Sequence, residues 1–234
     1  MTINIEKVER YIAAQSEEVC AFIYDLEGLN KHISSLLNPL PESVQFYYAI
    51  KANSDEQMLQ ALLPHVYGFE VASMGEIIKV RSISKDVPIA FGGPGKTLTE
   101  LKAALEHNVS LFHLESQLQL DRLNWLAKQQ GKVIDVLLRV NPSFSLPDAT
   151  LQMAGKATQF GIEQPELELL LEKVADFEHL NIIGFHFHCI SNNLNETTHI
   201  KAVEKYIDTA LQWQQQFNLS LRTINVGGGI GVAY

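Results

Sequence analysis

Three groups of residues in this chain have types and spacings that suit chemistry. The first is Lys51, which ends the run Phe46-Tyr47-Tyr48-Ala49-Ile50. Aromatic and β-branched residues favour a strand there. Its two-residue period puts Tyr47, Ala49 and Lys51 on one face and Tyr48 and Ile50 on the other. If the first face lines a barrel, Lys51 holds a partly desolvated amine. Burial disfavours its charged form and suits Schiff-base chemistry. The alternative is a strand-end lysine that reaches back into water. The second group is Gly184, His186 and His188, which alternate with Ile183, Phe185 and Phe187. The aromatic face packs under helices, so both imidazoles point inward, and His188, nearer the strand end, is the better working group. The third is Asn225-Val226-Gly227-Gly228-Gly229-Ile230-Gly231. Consecutive glycines let main-chain N–H groups approach an anion without side-chain obstruction, so a phosphate fits better than a mobile turn.

Other residues narrow the reading. Glu70 and Arg139 fall on inward strand faces, where an unpaired charge is costly, so they are expected to pair with each other or with a ligand. His-x-His beside Cys189 supplies too few ligands for a metal, and none is expected. Gly92-Gly93-Pro94-Gly95-Lys96-Thr97 imitates a nucleotide P-loop, but Ala90 stands where that motif needs its first glycine. It reads instead as a loop leading into a helix cap at Thr97.

These groups need elements to position them. Strands are predicted over 45–51, 67–72, 87–92, 110–114, 133–140, 181–188 and 221–227. After several of them comes a Ser or Thr with Glu or Gln three residues on: Ser54…Gln57, Ser73…Glu76, Thr97…Glu100 and Ser116…Gln119. Each is a possible capping box at a helix start. Before this series, helices are expected over 5–19 and 29–37, with a short strand at Ala21–Tyr24 between them. Strand-helix-strand order implies right-handed parallel crossovers. Polar residues at strand C-termini favour a (β/α)₈ TIM-like barrel over an open doubly wound sheet. Seven strands can be counted, so the barrel is incomplete at its C-terminal end. The irregular stretch 141–160, with Pro142, Pro147 and Gly155, is a candidate cover for the barrel mouth.

The chain has 234 residues and a formal net charge of −9. That balance, with no block of Lys or Arg, argues against nucleic acid or an anionic membrane as partner. No apolar run reaches the length of a membrane span. Two cysteines, Cys20 and Cys189, fit a reducing compartment, and the cytoplasm is the default.

Taken in order, these motifs resemble the fold-type III pyridoxal-phosphate (PLP) decarboxylases, the group of ornithine and diaminopimelate decarboxylases. The matching stretches are Tyr48-Ala49-Ile50-Lys51-Ala52-Asn53, Phe69-Glu70-Val71-Ala72-Ser73-Met74-Gly75-Glu76, Leu138-Arg139-Val140-Asn141-Pro142, Gln159-Phe160-Gly161-Ile162, Gly184-Phe185-His186-Phe187-His188 and Gly227-Gly228-Gly229-Ile230-Gly231. The resemblance implies an alanine racemase/decarboxylase-type barrel over 26–234, preceded by a helix and opening strand over 1–25, with the family's eighth strand and C-terminal β-domain absent. It implies that Lys51 carries PLP as a Schiff base and that His188 stacks on the ring. Ser191, Gly227, Gly228 and Gly229 would hold the phosphate, and Glu70 and Arg139 would line the pocket.

The implied reaction is decarboxylation of an amino acid or an amino-acid-derived intermediate by a homodimer. Two other readings stay open: a PLP-binding barrel in cofactor homeostasis, and an amino-acid racemase. Gln159 stands where diaminopimelate decarboxylases usually carry lysine. The stretches Gly155-Lys156-Ala157-Thr158-Gln159-Phe160-Gly161 and Phe91-Gly92-Gly93-Pro94-Gly95-Lys96-Thr97 look closer to the siderophore-pathway decarboxylases. The 234-residue polypeptide alone is expected to bind PLP but to decarboxylate poorly.

Overall fold

Most helix starts in this chain are specified by the residue just before them. The computed structural model describes residues 4–144, 151–152 and 158–233. At Thr97 the capping box is complete: Thr97 Oγ1 accepts the Glu100 N–H at 3.2 Å, and Glu100 Oε2 accepts the Thr97 N–H at 3.0 Å. Ser73 Oγ accepts the Glu76 N–H, while the Glu76 carboxylate reaches back to the Ala72 N–H at 2.6 Å. Ser116 Oγ accepts the Gln119 N–H at 3.3 Å. Ser54 is the exception. Asp55 caps that helix instead, accepting the Gln57 N–H at 2.9 Å. A carboxylate answers both the unpaired N–H groups and the positive end of the helix dipole.

The chain forms two compact units, Met1–Glu70 with Ile78–Pro88, and Val71–Ile77 with Ile89–Tyr234. The division runs through one strand, β2 (Gly68–Val71), and one helix, α4 (Met74–Ile83). The first unit also holds α1 (Ile5–Ala13), α2 (Leu26–Leu37), β1 (Tyr47–Ala49) and α3 (Glu56–Leu62). β1 pairs with β2 in parallel, Tyr47 opposite Gly68 and Ala49 opposite Glu70. A Cβ on Gly68 would lie 2.6 Å from the Tyr47 ring, so the glycine makes room for that tyrosine.

Two expectations for the N-terminal region are corrected. α1 stops at Ala13 rather than Val19, because no apolar residue follows Ile12 at helical spacing until Val19. Ala21–Tyr24 forms no strand: Phe22 is 91% exposed, and a short apolar run becomes a strand only where another strand pairs with it.

The second unit holds β3 (Ile89–Phe91), α5 (Leu98–Glu106), β4 (Leu111–Leu114), α6 (Gln117–Gln129), β5 (Ile134–Asn141), β6 (Leu151–Gln152), β7 (Ile162–Glu163), α7 (Gln164–Leu171), β8 (Leu180–Phe187), β9 (Ile190–Ser191), α8 (Glu196–Gln216) and β10 (Thr223–Asn225). Its main strands lie in the order β3-β4-β5-β8-β10, all parallel, as the strand-helix alternation predicts. β7 adds to the end of β5, and β6 pairs antiparallel with β9. The seven strands read from the sequence all occur, each within three residues of its predicted ends. Pro147 and Gly155, in the stretch expected to cover the barrel mouth, lie outside the described residues.

The two faces of β8 divide as its alternation requires. Phe185 and Phe187 pack beneath α8, with Phe187 stacked on Tyr206 at 4.8 Å between centroids and Phe185 against Trp213 at 4.9 Å. Both phenylalanines are fully buried, which contributes about 1.5–3 kcal/mol each. Gly184 lies on the other face, opposite Thr223 of β10, and a Cβ there would sit 1.7 Å from the Thr223 carbonyl oxygen.

Candidate functional site

In the second unit the inward faces of β4, β5 and β8 carry a buried polar cluster. Arg139, on β5, is opposite His186 on β8 in the strand register. The sequence reading has Arg139 pair with Glu70 or with a ligand; the carboxylate found at its guanidinium is Glu115, just past β4. Arg139 Nη1 donates to Glu115 Oε1 at 3.0 Å and to Oε2 at 3.1 Å. Glu115 also accepts the Gly93 N–H at 2.7 Å and the Gly161 N–H at 3.1 Å. One carboxylate therefore ties down the loop after β3, the guanidinium on β5 and the segment leading into β7. The guanidinium lies over the Phe160 ring, 4.6 Å from its centroid.

Lys96, in the loop that imitates a P-loop, is buried beside this cluster, and its amine donates to the Gly93 carbonyl oxygen. Burial pulls its pKa down to about 8, against the opposing pull of Glu115. His113 and His186 lie ring against ring, 4.4 Å between centroids, both fully enclosed. Burial first, then the Lys96 and Arg139 cations, hold His113 neutral with a pKa of about 3; burial and the neighbouring His113 push His186 far down as well. The sequence leaves His186 open as a core histidine, and that is where it sits.

His188, one pleat further along, is only half-buried. Its Nδ1 accepts the Gly228 N–H at 3.3 Å, which brings the second and third groups read from the sequence together. Gly227 and Gly229 both have left-handed φ, +73° and +83°. A Cβ on Gly227 would lie 2.5 Å from the Phe187 carbonyl oxygen, and one on Gly229 would lie 2.2 Å from that of Ile190. No other residue fits either position. Between them Gly228 faces open space, with nothing within 4 Å of where its Cβ would be. Ser191, half-buried, ends β9, and the neighbouring Ile190 backbone borders Gly229.

In the first unit Lys51 follows β1 in a turn closed by the Ala52 N–H on the Ala49 carbonyl oxygen, 3.1 Å. The partial burial expected of it is corrected: β1 ends at Ala49 and the lysine is exposed, while Ile50 beside it is fully buried. Glu70, half-buried on β2, lies opposite Ala49, and its carbonyl oxygen accepts the Ile50 N–H at 3.1 Å. Among the described residues no group of three or more His, Cys, Asp or Glu could hold a metal. Cys189 is buried, and burial raises its thiol pKa to about 11, which makes it a packing residue rather than a nucleophile.

Reading the sequence missed Glu115, Lys96 and His113. The alternation used for β8 would have found two of them, since His113 and Glu115 share one face of β4 and its extension, opposite Phe112 and Leu114.

Comparison with known proteins supplies the family. Residues 26–234 match the family described as pyridoxal-dependent decarboxylase, pyridoxal binding domain. The chain is 43% identical to a 2-[(L-alanin-3-ylcarbamoyl)methyl]-2-hydroxybutanedioate decarboxylase of Staphylococcus aureus, over 98% of this chain and 58% of that protein. It is 31% identical to the diaminopimelate decarboxylase of Pseudomonas aeruginosa, over 89% of this chain and 50% of that one. The crystal structure of Helicobacter pylori diaminopimelate decarboxylase complexed with L-lysine superposes with a TM-score of 0.83 at 26% identity, covering 99% of this chain and 58% of that one. The chain thus spans 50% to 58% of the length of these relatives. The fold class read from the sequence, a decarboxylase-type (β/α) barrel that is incomplete, is the one this likeness shows. The family match and these relatives agree, and the chain belongs to the pyridoxal-dependent decarboxylases, of which it carries the PLP-binding domain.

Proposed function

We propose that this chain is the cofactor-binding part of a PLP-dependent decarboxylase acting on an amino acid or an amino-acid-derived intermediate. The observation that carries this is the meeting of His188 with the glycine turn, where Nδ1 accepts the Gly228 N–H and nothing lies within 4 Å of where a Gly228 Cβ would be. In this reading the turn of Gly227, Gly228 and Gly229, with Ser191, would border the phosphate. The Lys51 amine, exposed at its turn, would hold the cofactor at its aldehyde end. His188 would pack against its ring, and Glu70 and Arg139 are the further residues assigned to it, with Glu115 keeping the guanidinium fixed. When bound, PLP supplies a conjugated ring that takes up the electron pair left as the α-carboxylate departs as CO₂.

The 43% identity to the Staphylococcus aureus enzyme favours a substrate of the same kind: an amino acid joined through an amide to a hydroxylated polycarboxylate. Gln159, where diaminopimelate decarboxylases usually carry lysine, favours it over diaminopimelate. We further propose a homodimer working in the cytoplasm. Two free cysteines agree with a reducing compartment, and among the described residues no helix is long and apolar enough to cross a membrane.

The test has two stages. PLP added to the chain should give a visible absorbance band, which Lys51→Ala abolishes; a band that survives the substitution rules out Lys51 as the attachment point. This domain joined to the remaining length that its relatives carry, given candidate amino acids, should release CO₂ and the matching amine. An inverted amino acid in its place would show a racemase, and a loaded protein that transforms none of them would favour cofactor homeostasis.

A further inference from the structure

The N–H of Gly227, the first residue of the glycine turn, does not point at the open side. It donates to Asn225 Oδ1 at 2.8 Å, and this short clamp closes the turn in which Gly227 takes its left-handed φ. With Oδ1 committed, the other end of the Asn225 amide is fixed too. Nδ2 faces His113 Nε2 at 3.4 Å. An amide NH₂ only donates, so Nε2 must offer its lone pair and the single proton of the neutral ring must sit on Nδ1. His113 Nδ1 is buried with no hydrogen-bond partner among the described residues. The ring therefore gives up a hydrogen bond on one side in order to accept one on the other.

We propose that Asn225, backed by the buried imidazole of His113, is the positioning residue for the cofactor's phosphate. Asn225 holds Gly227 closed while His188 holds Gly228, and together they present the turn to the anion already shaped. His113 serves as a fixed acceptor that keeps the Asn225 amide from turning over. The surroundings of His113 suit that role. His186 faces it from β8, Arg139 from β5 and Lys96 from the loop after β3; burial and the two cations disfavour an imidazolium, whose Nε2–H would repel the amide. Glu115, the carboxylate of the cluster, is taken up by Arg139 and two main-chain N–H groups. The inference deepens the proposed cofactor site and rests on it.

The experiment compares PLP with pyridoxal, the same aldehyde without its phosphate, by absorbance titration of the 234-residue chain. Asn225→Leu and His113→Leu should each weaken PLP binding about tenfold, the loss expected if the loosened turn forfeits one main-chain hydrogen bond to the charged phosphate, and leave pyridoxal within about twofold. His113→Gln, whose side-chain oxygen can still accept from Asn225, should keep most of the preference for PLP. Should the leucine variants fail to fold, Asn225→Ser, which lacks the arm to His113, carries the same expectation. An unchanged PLP-over-pyridoxal preference, or an equal loss for both ligands, overturns the inference. Lys51→Ala separates the two levels: if it leaves both bands intact, the cofactor site itself is wrong, whereas a lost band beside an unmoved phosphate preference condemns only the role of Asn225.

Discussion

Acid should unfold this protein through its buried imidazoles, and His113 allows the size of the effect to be worked out. In the folded chain its pKa is about 3, lowered from 6.5 by burial and by the Lys96 and Arg139 cations. The unfolded chain therefore binds the extra proton first as the pH falls. The stability His113 contributes is complete above pH 6.5 and is lost progressively between pH 6.5 and 3. At pH 5.5 the unfolded histidine is about nine-tenths protonated and the folded one neutral, which costs RT ln(1 + 10), or about 1.4 kcal/mol. The figure depends on the unfolded pKa and the assay pH, and hardly on how far below 5 the folded value lies. Urea unfolding followed by tryptophan fluorescence at pH 7.5 and 5.5 measures it. Carboxylates titrate in the same range, so the informative quantity is the difference between wild type and His113→Gln. Wild type should lose about 1.4 kcal/mol more than the variant. An equal loss in the two proteins would refute the claim that the ring is buried neutral.

Two substitutions test the packing around the site. Glu115→Gln keeps the shape but leaves the Arg139 guanidinium buried without a counter-charge, and should cost about 3–5 kcal/mol in denaturant unfolding; a loss below about 1 kcal/mol would mean the pair is not closed in solution. Gly184→Ala puts a methyl group against the Thr223 carbonyl oxygen, so the β8–β10 pairing must shift. A loss of about 1–3 kcal/mol is expected, with faster amide exchange confined to those two strands; uniform exchange would contradict it.

Much of this was legible in the sequence because it is locally encoded. Thr97 with Glu100, and Ser73 with Glu76, announce their helices within four residues, and the alternation along β8 and the residue after it separates Phe185 and Phe187 from His186 and His188 without further context. Where a stronger competitor stood next door, as Asp55 beside Ser54, the reading slipped by one residue. Ala21–Tyr24 shows a different limit: strand propensity names a candidate, but a partner strand decides. The same holds for charge. Arg139 could be seen to need a carboxylate, yet nothing near it in the chain points to Glu115, 24 residues away. Lys51 was recognisable from its place at the strand end; its exposure was not, since it depends on where β1 stops pairing.

The bonds of Glu115 reach across 22, 24 and 46 residues of chain. Contacts so distant in sequence have to wait for loop closure, so they assemble after the local strand-helix units have formed. Their contribution should therefore appear in how slowly the native state opens rather than in how quickly it is reached. A carboxylate that arranges one arginine in the finished protein would then also act as its kinetic latch, setting the protein's lifetime against proteolysis where cleavage outpaces reclosing.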